Sequence, residues 1–124
     1  MTIPASDARE LHTAWADRFN AQDVDGMLAL AETESVFVPQ PSVVTTGNDV
    51  RGALEQFLAI GLPITMNVRN VYASGDIALV IADWSLKGTG ADGSDVDMSG
   101  STADVARIGP DGWKFVIDNP FGTS

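Results

Sequence analysis

A change of periodicity at Gly61 constrains this chain more than any other feature. Before it, apolar residues recur at helical spacing; after it, four segments rich in β-branched and aromatic residues alternate with short turns. In ASDARELHTAWADRFNAQD, Leu11, Ala14, Trp15, Arg18 and Phe19 recur at helical spacing, and Ser6 or Asp7 can cap the start. Asp23 can cap a second helix whose apolar stripe is Val24, Met27, Leu28, Leu30 and Ala31. A short strand is expected over 35–38, closed by Pro39-Gln40-Pro41. A third helix fits 48–60, stopped by Gly61, with Val50, Ala53, Leu54, Phe57 and Leu58 facing inward. The β segments are 64–73, 77–86, 96–108 and 113–118, with turns at 74–76, 88–95 and 109–112. Short connections between successive strands imply an antiparallel meander. Three helices on one face of that sheet make an α+β domain. With no repeat or linker in view, one domain over residues 1–124 is expected.

Charge and composition narrow the function classes. Seventeen acids against seven bases give a net charge of −10, a field that repels phosphate backbones and anionic lipid. Nucleic acid and membrane surfaces are therefore not the expected partners. Without cysteine there is no disulfide, thiolate nucleophile or thiolate metal site, and a single His makes a zinc site improbable. Neither a metal nor a cofactor is expected. The start MTIPASDARE is neither basic nor apolar enough for a signal peptide, so a cytoplasmic protein is the default expectation. The acidic run Asp92, Asp95, Asp97 lacks the closing Glu and helical flanks of an EF-hand and reads as a solvated hairpin loop.

Besides Asp97 of the acidic run, three aspartates fall inside predicted strands: Asp83, Asp104 and Asp118. Asp has low β-propensity and its charge is costly to bury, so each needs a reason. If the hairpin centre lies between 91 and 92, residue 79 faces 104 and residue 83 faces 100. Asp83 and Asp104 then share a face with Ile77, Leu79, Ile81, Thr102 and Ala106. Ala78, Val80, Ala82, Trp84, Ala103 and Val105 take the other face. A slip of one residue would exchange the two. Two carboxylates facing an apolar pocket cannot both ionise cheaply, so one pKa should rise. The plainer alternative is that the aspartates cap turns, pair with Arg69 or Arg107, or face water. His12 precedes Trp15 by three residues and Phe19 by seven, so it can enter the same pocket; a partly exposed helix histidine is the alternative. Tyr72 fits either the pocket mouth or an interface.

The order of elements resembles the nuclear transport factor 2-like superfamily, and within it the SnoaL-like proteins. The matching features are a helical hairpin with Asp23 at its bend, a strand ending in Pro39, and Gly47 opening the third helix. They continue with Gly75-Asp76-Ile77-Ala78, Asp104-Val105-Ala106-Arg107, Asp111-Gly112-Trp113 and the closing Asp118-Asn119-Pro120-Phe121-Gly122. The resemblance implies a curved sheet wrapped around a cone-shaped pocket capped by helices. Asp104 with Arg107 matches the oxyanion-hole aspartate of ketosteroid isomerases, but Trp15 stands where their tyrosine would be and Val38 where their base would be. Limonene-type epoxide hydrolases resemble the chain at Asp83 and Asp118, with Ile81 in place of their bridging Arg. SnoaL-like polyketide cyclases have an acid/base aspartate where Asp118 stands and an acidic residue at the position of Asp104.

The expectation that follows is an apolar pocket for a small hydrophobic or polycyclic molecule, walled by Trp15, Phe19, Val38, Phe57, Leu79, Ile81, Thr102 and Val116. Catalysis there would be cofactor-free isomerisation, aldol-type cyclisation or hydration. Asp118 would be the acid/base group and Asp104 its partner or an oxyanion donor, with Asp83 and His12 assisting. The alternative is a non-catalytic ligand-binding or dimeric interaction module. Under both, a homodimer is expected through an outer sheet face carrying Trp84, Val105, Trp113 and Phe115.

Overall fold

The computed structural model describes residues 7–123. The first helix, α1, spans Asp7–Asn20; Ser6, one of its two expected caps, lies outside the described residues. A five-residue α2 (Val24–Leu28) follows, its start capped by Asp23, whose carboxylate accepts from Gly26 N at 2.9 Å. Leu30 and Ala31, expected in this helix, leave it, and Ala31 opens the ten-residue strand β1 (Ala31–Gln40). β2 (Val43–Thr46), not foreseen in the sequence, folds back on β1 across the Pro41-Ser42 turn. The third helix, α3 (Asp49–Leu58), ends two residues earlier than expected. Gly61 adopts φ +78, and a Cβ there would sit 2.9 Å from the Ala91 Cβ. Only glycine gives both the turn and that close approach.

The β half is β3 (Thr65–Ser74), β4 (Ile77–Thr89), β5 (Asp95–Ser101), β6 (Asp104–Gly109) and β7 (Gly112–Asp118). Among the described residues the seven strands form one sheet, six of them in the order β2-β1-β7-β6-β4-β3 with β5 pairing β4 off that path, antiparallel except for the β1–β7 pair. β4 organises it. One edge of β4 pairs with β3; the other pairs first with β6, Val80 opposite Asp104, and then with β5, Trp84 opposite Gly100. The expected single strand over 96–108 is therefore two, broken at Thr102-Ala103. There the Thr102 hydroxyl replaces a ladder partner by accepting from Ala82 N at 3.1 Å.

The β4–β5 turn overturns the expected facing. Its loop is centred on Asp92, whose carboxylate accepts from Ser94 N at 3.0 Å and Ser94 Oγ at 2.5 Å. Five residues, 90–94, thus lie between Thr89 and Asp95, which are directly opposed. An odd loop shifts the register by one, and the slip exchanges the faces of β4. Ala78, Val80, Ala82, Trp84 and Leu86 are buried, whereas Leu79 is 38% exposed and Tyr72, opposite it, 60%. Thr102, Asp104 and Ala106 do face inward. The face proposed for a dimer is corrected as well: Trp84, Trp113 and Phe115 are buried within the protomer, and of that set only Val105 lies on the outer side with Leu79.

The helices cover the inner face. α1 crosses β3, β4 and β7, while α3 packs on β1, β2 and α2. Phe19, Met27, Phe37, Leu54, Trp84 and Leu86 form one core cluster; Ala8, Leu11, Val80, Ala106 and Phe115 form another, and Trp15 packs against both. Asn20 closes the α1 end by a reciprocal pair with the Ile64 backbone at 2.7 and 3.2 Å. No described helix is long and apolar enough to cross a membrane. The register predicts a contrast between neighbours. Val80→Asp buries a carboxylate and costs several kcal/mol, about 3 or more, whereas Leu79→Asp costs about 1 kcal/mol or less. Urea midpoints of the two variants measure this; equal losses would contradict the facing.

Candidate functional site

The inner face encloses a pocket between α1, α3 and the sheet. α1 contributes His12, Trp15 and Phe19 at three- and four-residue spacing, so one helical face carries all three. Phe37 of β1, Phe57 of α3, Met66, Trp84 and Leu86 supply the remaining apolar wall. Thr102, Asp104, Phe115, Asp118 and Pro120 close the other end. Free space is scarce, about 30 Å³, or room for ~2 waters. A polycyclic molecule cannot enter without displacing rings.

At the polar end His12 and Asp104 are both 1% exposed, and His12 Nε2 lies 2.6 Å from Asp104 Oδ2. The other carboxylate oxygen accepts from Asn119 N, also at 2.6 Å. With Asp104 ionised both of its oxygens accept, and His12 then carries its proton on Nε2. Phe115 meets the imidazole edge-on at 5.0 Å. Nδ1 of His12 is buried without a hydrogen-bond partner among the described residues. A neutral ring leaves it as an aimed lone pair; an imidazolium would bury an N–H with no acceptor.

Asp118 reaches this end through an irregularity in β7. Val105 pairs with Ile117 but Ala106 with Phe115, so Val116 is an extra residue opposite one step of β6. Phe115 and Asp118, three apart, would otherwise point to opposite faces; the bulge lets both line the pocket. Asp118 is partly buried. Burial pushes its carboxyl well above the usual carboxylate range, and the negative charge of Asp104 pushes it the same way. The remaining polar groups are already engaged. The Thr102 hydroxyl lies 3.3 Å from Val80 O, and the Trp84 indole donates to Pro120 O at 2.6 Å. No Lys or Arg lines the pocket.

The structure brings together Asp104, Asp118, His12, Trp15, Phe19, Phe57 and Thr102. It leaves out Asp83, Leu79, Ile81, Val38 and Val116. Asp83 faces outward, where it accepts from Ser101 Oγ at 2.6 Å and from Arg69 at 3.1 and 3.2 Å. The Ser101 hydroxyl, then Arg69, hold its carboxyl below the usual range. Arg69 is itself the extra residue of a β3 bulge between Val68 and Asn70. Leu79 and Ile81 follow Asp83 to the outer face by the register slip, and Val116 is the bulged residue. Phe37, alternating with Ser35 in burial, lines the pocket in place of Val38. Sequence reading missed Trp84, Leu86 and Phe115, for which the parity of β4 and β7 was the available signal. It also missed the Asn119 backbone N–H, which no side chain announces.

The raised Asp118 carboxyl has a stability consequence. The folded state holds its proton where the unfolded chain, near pH 4, has released it. Its contribution is complete at low pH and is lost as pH rises through the folded-state value, at about 1.4 kcal/mol per unit of separation. Asp118→Asn removes that decline, so the variant gains on wild type as pH rises from 4 to 8. Urea unfolding across this range measures it; parallel curves would contradict a raised Asp118 carboxyl.

Residues 12–116 match the family model described as SnoaL-like domain. No curated protein matches the chain. Among solved structures, the chain is similar to a ketosteroid isomerase-like protein from Erwinia carotovora atroseptica (TM-score 0.75, 19% identity, 89% of this chain and 88% of that one). A candidate dehydratase of the NTF2-like family from Streptomyces avermitilis gives TM-score 0.74 at 21% identity, covering 90% of each chain. A candidate calcium/calmodulin-dependent protein kinase II association domain from Xanthomonas campestris gives 0.78 at 18% identity, over 95% of this chain and 86% of that one. At such identities the likeness shows the fold, which is NTF2-like, while the family match spans most of the sequence. The chain belongs to the SnoaL-like domain family.

Proposed function

We propose that the pocket binds a small molecule with an apolar body and one polar end, and moves a proton on it without a cofactor. The observation that carries this reading is one pocket lined both by Asp118, whose carboxyl is raised well above the usual range, and by a His12 imidazole bonded to Asp104, its Nδ1 unoccupied. Such a pair has the two complementary roles of acid–base catalysis. His12 Nδ1 takes a proton from carbon next to a carbonyl, and Asp118 gives its own to the carbonyl oxygen, leaving an enol. Reversal at a second carbon isomerises the substrate; alternatively the proton on His12 Nδ1 goes to a departing β-hydroxyl, which leaves as water while Asp118 takes its proton back, and the substrate is dehydrated. Asp104 has both oxygens engaged, so it orients His12 and is no oxyanion donor. The dehydratase and isomerase-like descriptions of the structural relatives accord with this chemistry. The narrow free space favours compact substrates over polycyclic ones. One domain over residues 1–124 and a cytoplasmic location complete the reading.

Small enolisable ketones and β-hydroxy ketones in deuterated solvent test it. Wild type should speed exchange at the α-carbon, and His12→Ala or Asp118→Asn should each reduce it about 10²–10⁴-fold. Retained exchange in folded Asp118→Asn would remove the acid role. Binding of such compounds without any exchange would favour a ligand-binding module on the same pocket.

The outer sheet face supports pairing of two copies. Tyr72 and Leu79 stand opposite one another there, with Val105 next to Leu79, an apolar strip that a second copy would cover. The likeness to an association domain agrees with assembly through this fold. Sedimentation at micromolar concentration should give a dimer that Leu79→Asp dissociates; a monomeric wild type would contradict it.

A further inference from the structure

The chain after β7 does more than end the sheet. The turn formed by residues 119–122 lies beyond the stretch that matches the family model, 12–116. It is tied to the rest of the molecule at four points. Asn119 N donates to Asp104 Oδ1 at 2.6 Å, and Asn119 O accepts from Ala103 N at 3.0 Å. Pro120 O accepts from the Trp84 indole at 2.6 Å, and Phe121 meets Trp84 edge-on at 5.6 Å. The turn also closes on itself, with Asn119 Nδ2 donating to Gly122 O at 2.9 Å and Gly122 N to Asn119 O at 3.2 Å.

Gly122 is where this clasp admits one residue type. Its φ is +58, and a Cβ would stand 2.5 Å from Ser101 O, a backbone atom that cannot swing aside. The clasp needs that contact distance because Ser101 and Thr102 lead directly into Asp104. Shifting the turn outward withdraws Asn119 N from the carboxylate, and a carboxylate that loses this donor is free to rotate away from His12 Nε2.

We propose that the 119–122 turn is the positioning element of the acid–base site, with Gly122 and Trp84 setting the seat from which Asn119 N fixes Asp104 and, through it, the His12 ring. This rests on the reading of His12, Asp104 and Asp118 as the reactive group. Asn119, Gly122 and Trp84 act through Asp104 and are positioning residues.

NMR of Gly122→Ala beside Gly75→Ala tests it. Gly75 has nearly the same φ, +60, but nothing within 4 Å of its Cβ position, so it imposes the backbone strain without the clash. In Gly122→Ala the Asn119 amide proton should move upfield and exchange at least about tenfold faster, the equivalent of about 1.4 kcal/mol of opening free energy. The His12 ring nitrogens should lose the pattern of a single tautomer. Gly75→Ala should leave both signals as in wild type. If Gly122→Ala does not fold, Trp84→Phe, which removes the indole donor to Pro120 O, gives the same readout. Unchanged Asn119 and His12 signals, or equal changes in Gly75→Ala, would overturn the proposal. An Asp118 that titrates normally while Asn119 and His12 still respond would instead sink the acid–base reading and leave the positioning role standing.

Discussion

The hydrogen bond between His12 Nε2 and Asp104 Oδ2 joins residues 92 positions apart, one on the first helix and one at the start of β6. Both are sealed from solvent, and losing either partner of such a pair costs about 3–5 kcal/mol, because the other is left buried and unpaired. The bond therefore fixes where α1 lies on the sheet. That placement turns Trp15 and Phe19 into pocket wall and brings His12 to the pocket's polar end. The same contact is structural glue and the orienting half of an acid–base pair, and no change to Asp104 can alter one without the other.

Two departures from regular β geometry complete the site. The odd loop centred on Asp92 decides which face of β4 is inside, and the bulge at Val116 decides that Asp118 joins Asp104 there. Each is a one-residue event, and each moves a carboxylate by a whole sheet face. Asp83 and Asp118 are alike in sequence terms, strand aspartates in apolar surroundings. Register sends Asp83 to Ser101 and Arg69 at the surface, and the bulge sends Asp118 to the pocket. One ends below the usual carboxylate range and the other well above it.

Much of this was legible in the chain itself. The change of period at Gly61 gave the α+β order, and the spacing of His12, Trp15 and Phe19 marked one face of α1. Asp104 could be placed inward because the family resemblance matches it to a pocket acid, and Thr102 shares its parity. What could not be read has physical reasons. Asp92 sets an odd loop by bonding Ser94, and loop parity has no composition signal. The Val116 bulge contains neither Gly nor Pro. β2 is a pair of exposed valines that only partner β1 makes a strand. The Asn119 donor belongs to the backbone, which every residue but proline shares.

The account stands on the Asp118 carboxyl being raised well above the usual carboxylate range by desolvation and by the charge of Asp104. Carbon-13 NMR of the side-chain carboxyls, followed across pH with Asp118 and Asp104 assigned individually, tests this directly. Asp118 should titrate well above the ordinary value of about 3.9. An Asp118 that titrates at the ordinary value would contradict the account, since a carboxylate already ionised at neutral pH has no proton to give.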